Sequence, residues 1–133
     1  MADTGSEPAA AEPLQHANLP PLVRRAVELC HERNARQPLV LDLRGLSDAT
    51  DFFLIASGDS DVHVRAVAEH ILKGLSDEGT RPSGVEGERS ARWVLIDYID
   101  LVVHVFHPLV REFYQLERLW GDAPLLAVED LPP

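Results

Sequence analysis

Cysteine is almost absent from this chain, and so are methionine, long apolar runs and lysine. Cys30 is the only cysteine among 133 residues, which excludes an internal disulfide and a thiolate zinc site. No stretch approaches the roughly 18 apolar residues that cross a bilayer. The opening residues lack the basic start and apolar core of a secretory signal, and they are too acidic and arginine-poor for a transit peptide. The expected compartment is therefore cytoplasmic. Cations are scarce: 12 Lys+Arg stand against 22 Asp+Glu, a formal net charge of −10. Such a chain is repelled by a phosphate backbone, so direct sequence-specific nucleic-acid binding is not expected. A basic protein surface is the better electrostatic match, although acidity also serves plain solubility.

What is present suffices for one domain. Hydrophobic residues make up 45%, enough for a single buried core at this length. Residues 1–19, rich in Ala, Pro and Glu, read as a disordered acidic leader, and residues 124–133 as a flexible, proline-ended tail. Between them, residues 20–123 carry alternating helical and strand patterns. Asn18 or a neighbour is placed to cap a first helix that tolerates Pro20 and Pro21 in its opening turn. Leu22, Val23, Ala26, Val27 and Cys30 recur at helical spacing, and Pro38 is expected to stop that segment. Cys30 on the apolar side reads as a small core residue.

Residues 39–43 and 52–56 read as strands, and 57–60 breaks the second, with Ser60 able to cap a helix. The stripe Val64, Val67, Ala68, Ile71, Leu72 and Leu75 follows at i, i+3, i+4, i+7, i+8 and i+11, ended by Gly79. A loop over 80–92 leads to two strands, 93–97 and 101–106, around a hairpin-like break at 98–100. Pro108 opens a last helix, expected to run to about Leu119 and to stop at Gly121, with Trp120 at its end. The order is helix, strand, strand, helix, strand, strand, helix: an α/β fold with helices packed on a small mixed sheet.

The reaction most nearly suggested is nucleotidyl transfer. Ser57-Gly58-Asp59-Ser60 stands at a strand-to-helix junction, where backbone N–H groups can meet phosphate. The same chemistry needs two carboxylates two residues apart on one strand, aimed at shared magnesium ions. Asp97 and Asp100 are three apart across a turn, and Asp42 is alone in its strand. Asp59 and Asp61 fit a helix dipole instead. Of the histidines, His104 and His107 project to opposite faces, while His63 and His70 are two helical turns apart. His16 falls in the leader and His31 on an exposed helix face. Solvated or hydrogen-bonded histidines are expected rather than a metal site, and no enzyme activity or cofactor.

Trp93, Leu95 and Asp97 share one strand face, and His104 shares its own with Val102 and Phe106. The hairpin register is not legible, so the relative facing of Trp93 and His104 stays open. Trp93 alone reads as a core indole, and Arg111, Glu117 and Arg118 as a solvated helix face.

A wider pattern changes the weight of these residues. Leu41-Asp42, the run Thr50 to Gly58, Val85-Glu86-Gly87, Trp93 to Tyr98, Asp100 to Phe106 and Arg111 to Trp120 together resemble the ribosomal silencing factor (RsfS), or Iojap-related, family. The resemblance implies a nucleotidyltransferase-like topology without the active site. It implies binding to ribosomal protein uL fourteen on the large ribosomal subunit, so that the small subunit cannot join and translation falls when nutrients are scarce. A role in large-subunit assembly would use the same contacts, and a homodimer when free is implied as well. Carried onto this sequence, the contact set is Trp93, Leu95, Asp97, His104, Arg111, Tyr114 and Glu117. Relatives often hold Gly or a polar residue where this chain has Ile99. A β-branched side chain resists positive φ, so a primed turn centred there is not expected; Ile99 would instead extend the contact surface or support self-association.

Overall fold

A computed structural model describes residues 18–114, 118, 121 and 123–128, with the backbone alone for 112–114. Three helices and six strands follow in the order α1 (Pro21–Glu32), β1 (Arg36–Asp42), β2 (Phe52–Ser57), α2 (Asp61–Asp77), β3 (Gly84–Glu86), β4 (Trp93–Asp97), β5 (Leu101–Phe106), α3 (Pro108–Tyr114) and β6 (Leu125–Ala127). The strands form one sheet in the order β3-β4-β5-β2-β1-β6. β2 and β5 run parallel at its centre, and every other pairing is antiparallel. The α/β class and its mixed sheet are as the sequence implies. The parallel pair follows from α2 lying between β2 and the β3–β4–β5 meander, since a parallel neighbour needs a long crossover.

α1 begins at Pro21 with Pro20 as N-cap and no side-chain cap bond, so Asn18 does not play the capping part expected of it. A proline at the first helical position has no N–H to satisfy and its φ is already helical, which makes a cap dispensable. Pro38 does not stop this helix either. α1 ends at Glu32, and Pro38 is buried inside β1, where the register slips between Arg36 and Leu39. A bulge is where a strand accommodates a residue with no N–H. At the other end Leu19, read as leader, is 2% exposed and joins the core.

α2 behaves as its stripe dictates. Val64, Val67, Ala68, Ile71 and Leu75 are buried, Leu72 is half-buried, and Ser60 Oγ accepts the His63 N–H at 3.1 Å. Each large apolar side chain so buried stabilises by about 1.5–3 kcal/mol. These side chains meet α1 and one face of the sheet, through Val40, Leu54, Ala56, Val94, Ile96, Leu101, Val103 and Val105. Cys30 lies in this core, where burial pushes its thiol up to about 12. The opposite face carries a smaller cluster of Leu41, Leu43, Ile55, Phe106 and Ala123, with Phe53, Trp93 and Val110 packed against it.

Two strands go beyond the sequence reading. β3 lies inside the expected loop, and β6 lies beyond residue 123 in the expected tail, paired to β1, with Val128 fully buried after it. Each has three residues, too few for alternation to register. The β4–β5 hairpin brings a further difference. Ile99 does adopt positive φ, at 73°. Its N–H donates to Asp97 Oδ1 at 2.8 Å, and the Asp100 N–H donates to the Tyr98 carbonyl at 2.9 Å. That is a γ-turn centred on a β-branched residue, a strained form held by the ladder on either side.

Candidate partner-binding face

Because α1 and α2 fill one side of the sheet, the other side carries the residues singled out in β4 and β5. On β4 burial alternates, with Val94 and Ile96 at 0% exposure and Trp93, Leu95 and Asp97 half-buried. Register then assembles three rows across β4, β5 and β2: Asp97–Val102–Phe53, Leu95–His104–Ile55 and Trp93–Phe106–Ser57. Trp93 and His104 therefore share a face, which the sequence left open. They are diagonal neighbours, close enough for large side chains to meet.

The meeting is specific. Trp93 Nε1–H donates to His104 Nδ1 at 3.0 Å. The indole stacks on Phe106 with centroids 4.9 Å apart and a 30° tilt, and Phe53 meets His104 edge-on at 4.5 Å and 68°. Offset and edge-to-face rings of this kind hold one another in place. His104 is 3% exposed, and burial holds its imidazole down at about 4. It is neutral at physiological pH and enclosed, so it does not present itself as a surface contact. Sequence reasoning placed Phe106 on the face of His104 but missed Phe53 as part of this cluster. Its period-2 placement with Ile55 was the available signal.

Arg111, from the same expected contact set, is enclosed as well. It is 7% exposed and turns inward, donating from Nη1 to Ser57 Oγ at 3.0 Å and to the Arg36 carbonyl at 3.4 Å. There it ties α3 to the ends of β2 and β1. The Tyr114 side chain, Glu117 and Trp120 lie outside the described residues, as do the leader up to residue 17 and residues 129–133.

The turn that imitates a phosphate cradle is occupied by its own neighbours. Ser57 Oγ accepts from Arg111, Asp59 forms a two-oxygen ion pair with Arg36, and the Asp59 N–H donates to His63 Nδ1 at 2.8 Å. A Cβ on Gly58 would lie 2.6 Å from the Val64 nitrogen, so close helix–strand packing explains the glycine. His63 Nε2 reaches the Arg33 carbonyl at 2.8 Å and His70 pairs with Glu32 at 2.7 Å, so both histidines pin α2 to α1 or its end. Among the described residues no three His, Cys, Asp or Glu side chains are grouped to hold a metal ion. Nor is any described helix long and apolar enough to cross a membrane.

A mixed six-stranded sheet with helices packed on it defines a small α/β class that solved structures share. A crystal structure from Chromobacterium violaceum matches with a TM-score of 0.74 and 35% identity, over 75% of this chain and 83% of that one. One from Bacillus halodurans matches with a TM-score of 0.71 and 41% identity, over 79% and 95%. The family model described as "Ribosomal silencing factor during starvation" matches residues 16–133. The chain belongs to the ribosomal silencing factor family. The ribosomal silencing factor RsfS of Halalkalibacterium halodurans is 44% identical over 81% of this chain and 92% of its own length. A mouse relative, named mitochondrial assembly of ribosomal large subunit protein 1, is 32% identical over 71% of this chain and 42% of its own. The role described for the family is silencing of the ribosome during starvation.

Proposed function

We propose that this protein docks on the large ribosomal subunit through ribosomal protein uL fourteen and, by its bulk, keeps the small subunit from joining. The observation that carries this reading is the sheet face of β4: Trp93, Leu95 and Asp97 stand half-buried in one line, on an acidic member of a ribosomal silencing family. Trp93 supplies the aromatic anchor expected of a hot spot, Leu95 extends the apolar area, and Asp97 meets a basic group on the partner. His104 supports the anchor, and Arg111 supports α3. Tyr114 and Glu117 complete the proposed contact set. No bond is made or broken in this role, so purified protein should show no magnesium-dependent nucleotide turnover. Transfer activity lost in Asp97→Asn would contradict that. The free protein pairs with a second copy, covering apolar surface that the ribosome covers when bound.

Trp93→Ala tests the docking reading. The variant should unfold cooperatively, with a lower midpoint because the indole packs on Phe106, and should bind large subunits more weakly by over ~2 kcal/mol. Normal co-sedimentation of the variant with large subunits would remove Trp93 as anchor.

A second reading, assistance in large-subunit assembly, is favoured by the name of the mouse relative. Cells lacking the protein separate the two. Silencing leaves excess translation in starvation, whereas an assembly role leaves immature large subunits during growth.

A further inference from the structure

His104 has no route to a partner's surface. It is 3% exposed, and its strand is paired on both sides, to Leu95 of β4 and Ile55 of β2. Trp93 is half-buried beside it. An indole N–H can only donate, so His104 Nδ1 must be the acceptor in their 3.0 Å hydrogen bond. In the neutral ring this places the proton on Nε2. That Nε2 is buried and, among the described residues, has no hydrogen-bond partner. The imidazole thus commits its one acceptor to the indole and leaves its one donor unmatched. An apolar side chain would fill the same space without an unmatched donor, so what the histidine adds at this position is the acceptor. The stack of Trp93 on Phe106 fixes the plane of the indole, and the hydrogen bond fixes which edge points inward.

We infer that His104 is a positioning residue: its Nδ1 holds the Trp93 indole in the single orientation that presents the anchor, and the imidazole itself does not touch the partner. This rests on the ribosome-docking reading above. It gives His104 a different part from the direct contact that the family resemblance implies.

Two measurements on the full chain test it. In ¹⁵N-labelled protein, with Trp120→Phe used to assign the signals, the Trp93 indole proton should exchange with solvent more slowly than a free indole. Rapid exchange in otherwise native protein would overturn the inference, whether or not ribosomes are bound. Binding to purified large subunits is the second measurement. His104→Leu should weaken it about tenfold, the equivalent of one hydrogen bond. His104→Asn, whose side-chain oxygen stands near the Nδ1 position, should stay within about threefold of wild type on the same scale. In a Trp93→Phe background, His104→Leu should change affinity by less than about twofold, because its effect passes through the indole N–H. An equal loss in both backgrounds, or no recovery with asparagine, overturns the positioning role. Should His104→Leu fail to fold, the asparagine and Trp93→Phe variants decide between the same outcomes. If wild-type protein ignores large subunits, the docking reading falls, and indole exchange alone decides whether His104 holds Trp93.

Discussion

Two residues combine an unfavourable local state with a fixed place in the fold, and both give measurable consequences. His104 titrates near 6.5 when unfolded and at about 4 when buried. Between those values the unfolded chain takes up the proton and the folded chain does not. Its neutral state is therefore fully compatible with folding above about pH 6.5, and stability drains away as pH falls toward 4. Urea unfolding of wild type and His104→Asn at pH 7 and pH 4.5 should show wild type losing about 2–3 kcal/mol more than the variant. Equal losses would mean that the imidazole is not enclosed as described. Ile99, 60% exposed at φ 73°, loses little packing when truncated. Ile99→Gly should stabilise the fold by about 0.5–1 kcal/mol, as relief of strain exceeds the added chain entropy. A lower melting temperature would contradict this. The sequence argued against positive φ here because local preference was the only term in view. The β4–β5 ladder, which overrides that preference, is a matter of pairing between distant residues.

Among the elements, the junction of β2 and α2 carries the strictest packing requirement. Gly58→Ala would drive a methyl group against the Val64 backbone, and its N–H already donates to the Phe106 carbonyl. A loss of at least about 2 kcal/mol in stability is expected; an unchanged melting temperature would mean that the turn has room for more than glycine. The long elements were legible for the same reason that they are stable. α2 repeats its apolar stripe over several turns, and β2, β4 and β5 carry apolar runs rich in β-branched and aromatic residues. What was not legible has a common physical cause. β3 and β6 are stabilised by neighbours rather than by their own composition, and the facing of Trp93 and His104 depends on register. Arg111 was read as solvated because a helix pattern does not reveal which partner waits at the end of another strand. The aromatic site was therefore visible as residues and invisible as a cluster.

For the molecule as a whole, charge and shape are the terms that matter. On the proposed docking reading, a net charge of −10 would steer association with a basic protein surface of the ribosome. Its on-rate should fall as salt rises and the Debye length shortens below about 10 Å. An on-rate indifferent to ionic strength would show that the acidity serves solubility alone. Steric exclusion makes a sharper demand: the bound protein must occupy space that the small subunit needs. Purified large subunits can be saturated with the protein, small subunits added, and the mixture resolved by sedimentation. The protein should stay with free large subunits, and the fraction of joined ribosomes should drop as occupancy rises. Joined ribosomes forming in full while still carrying the protein would rule out steric exclusion.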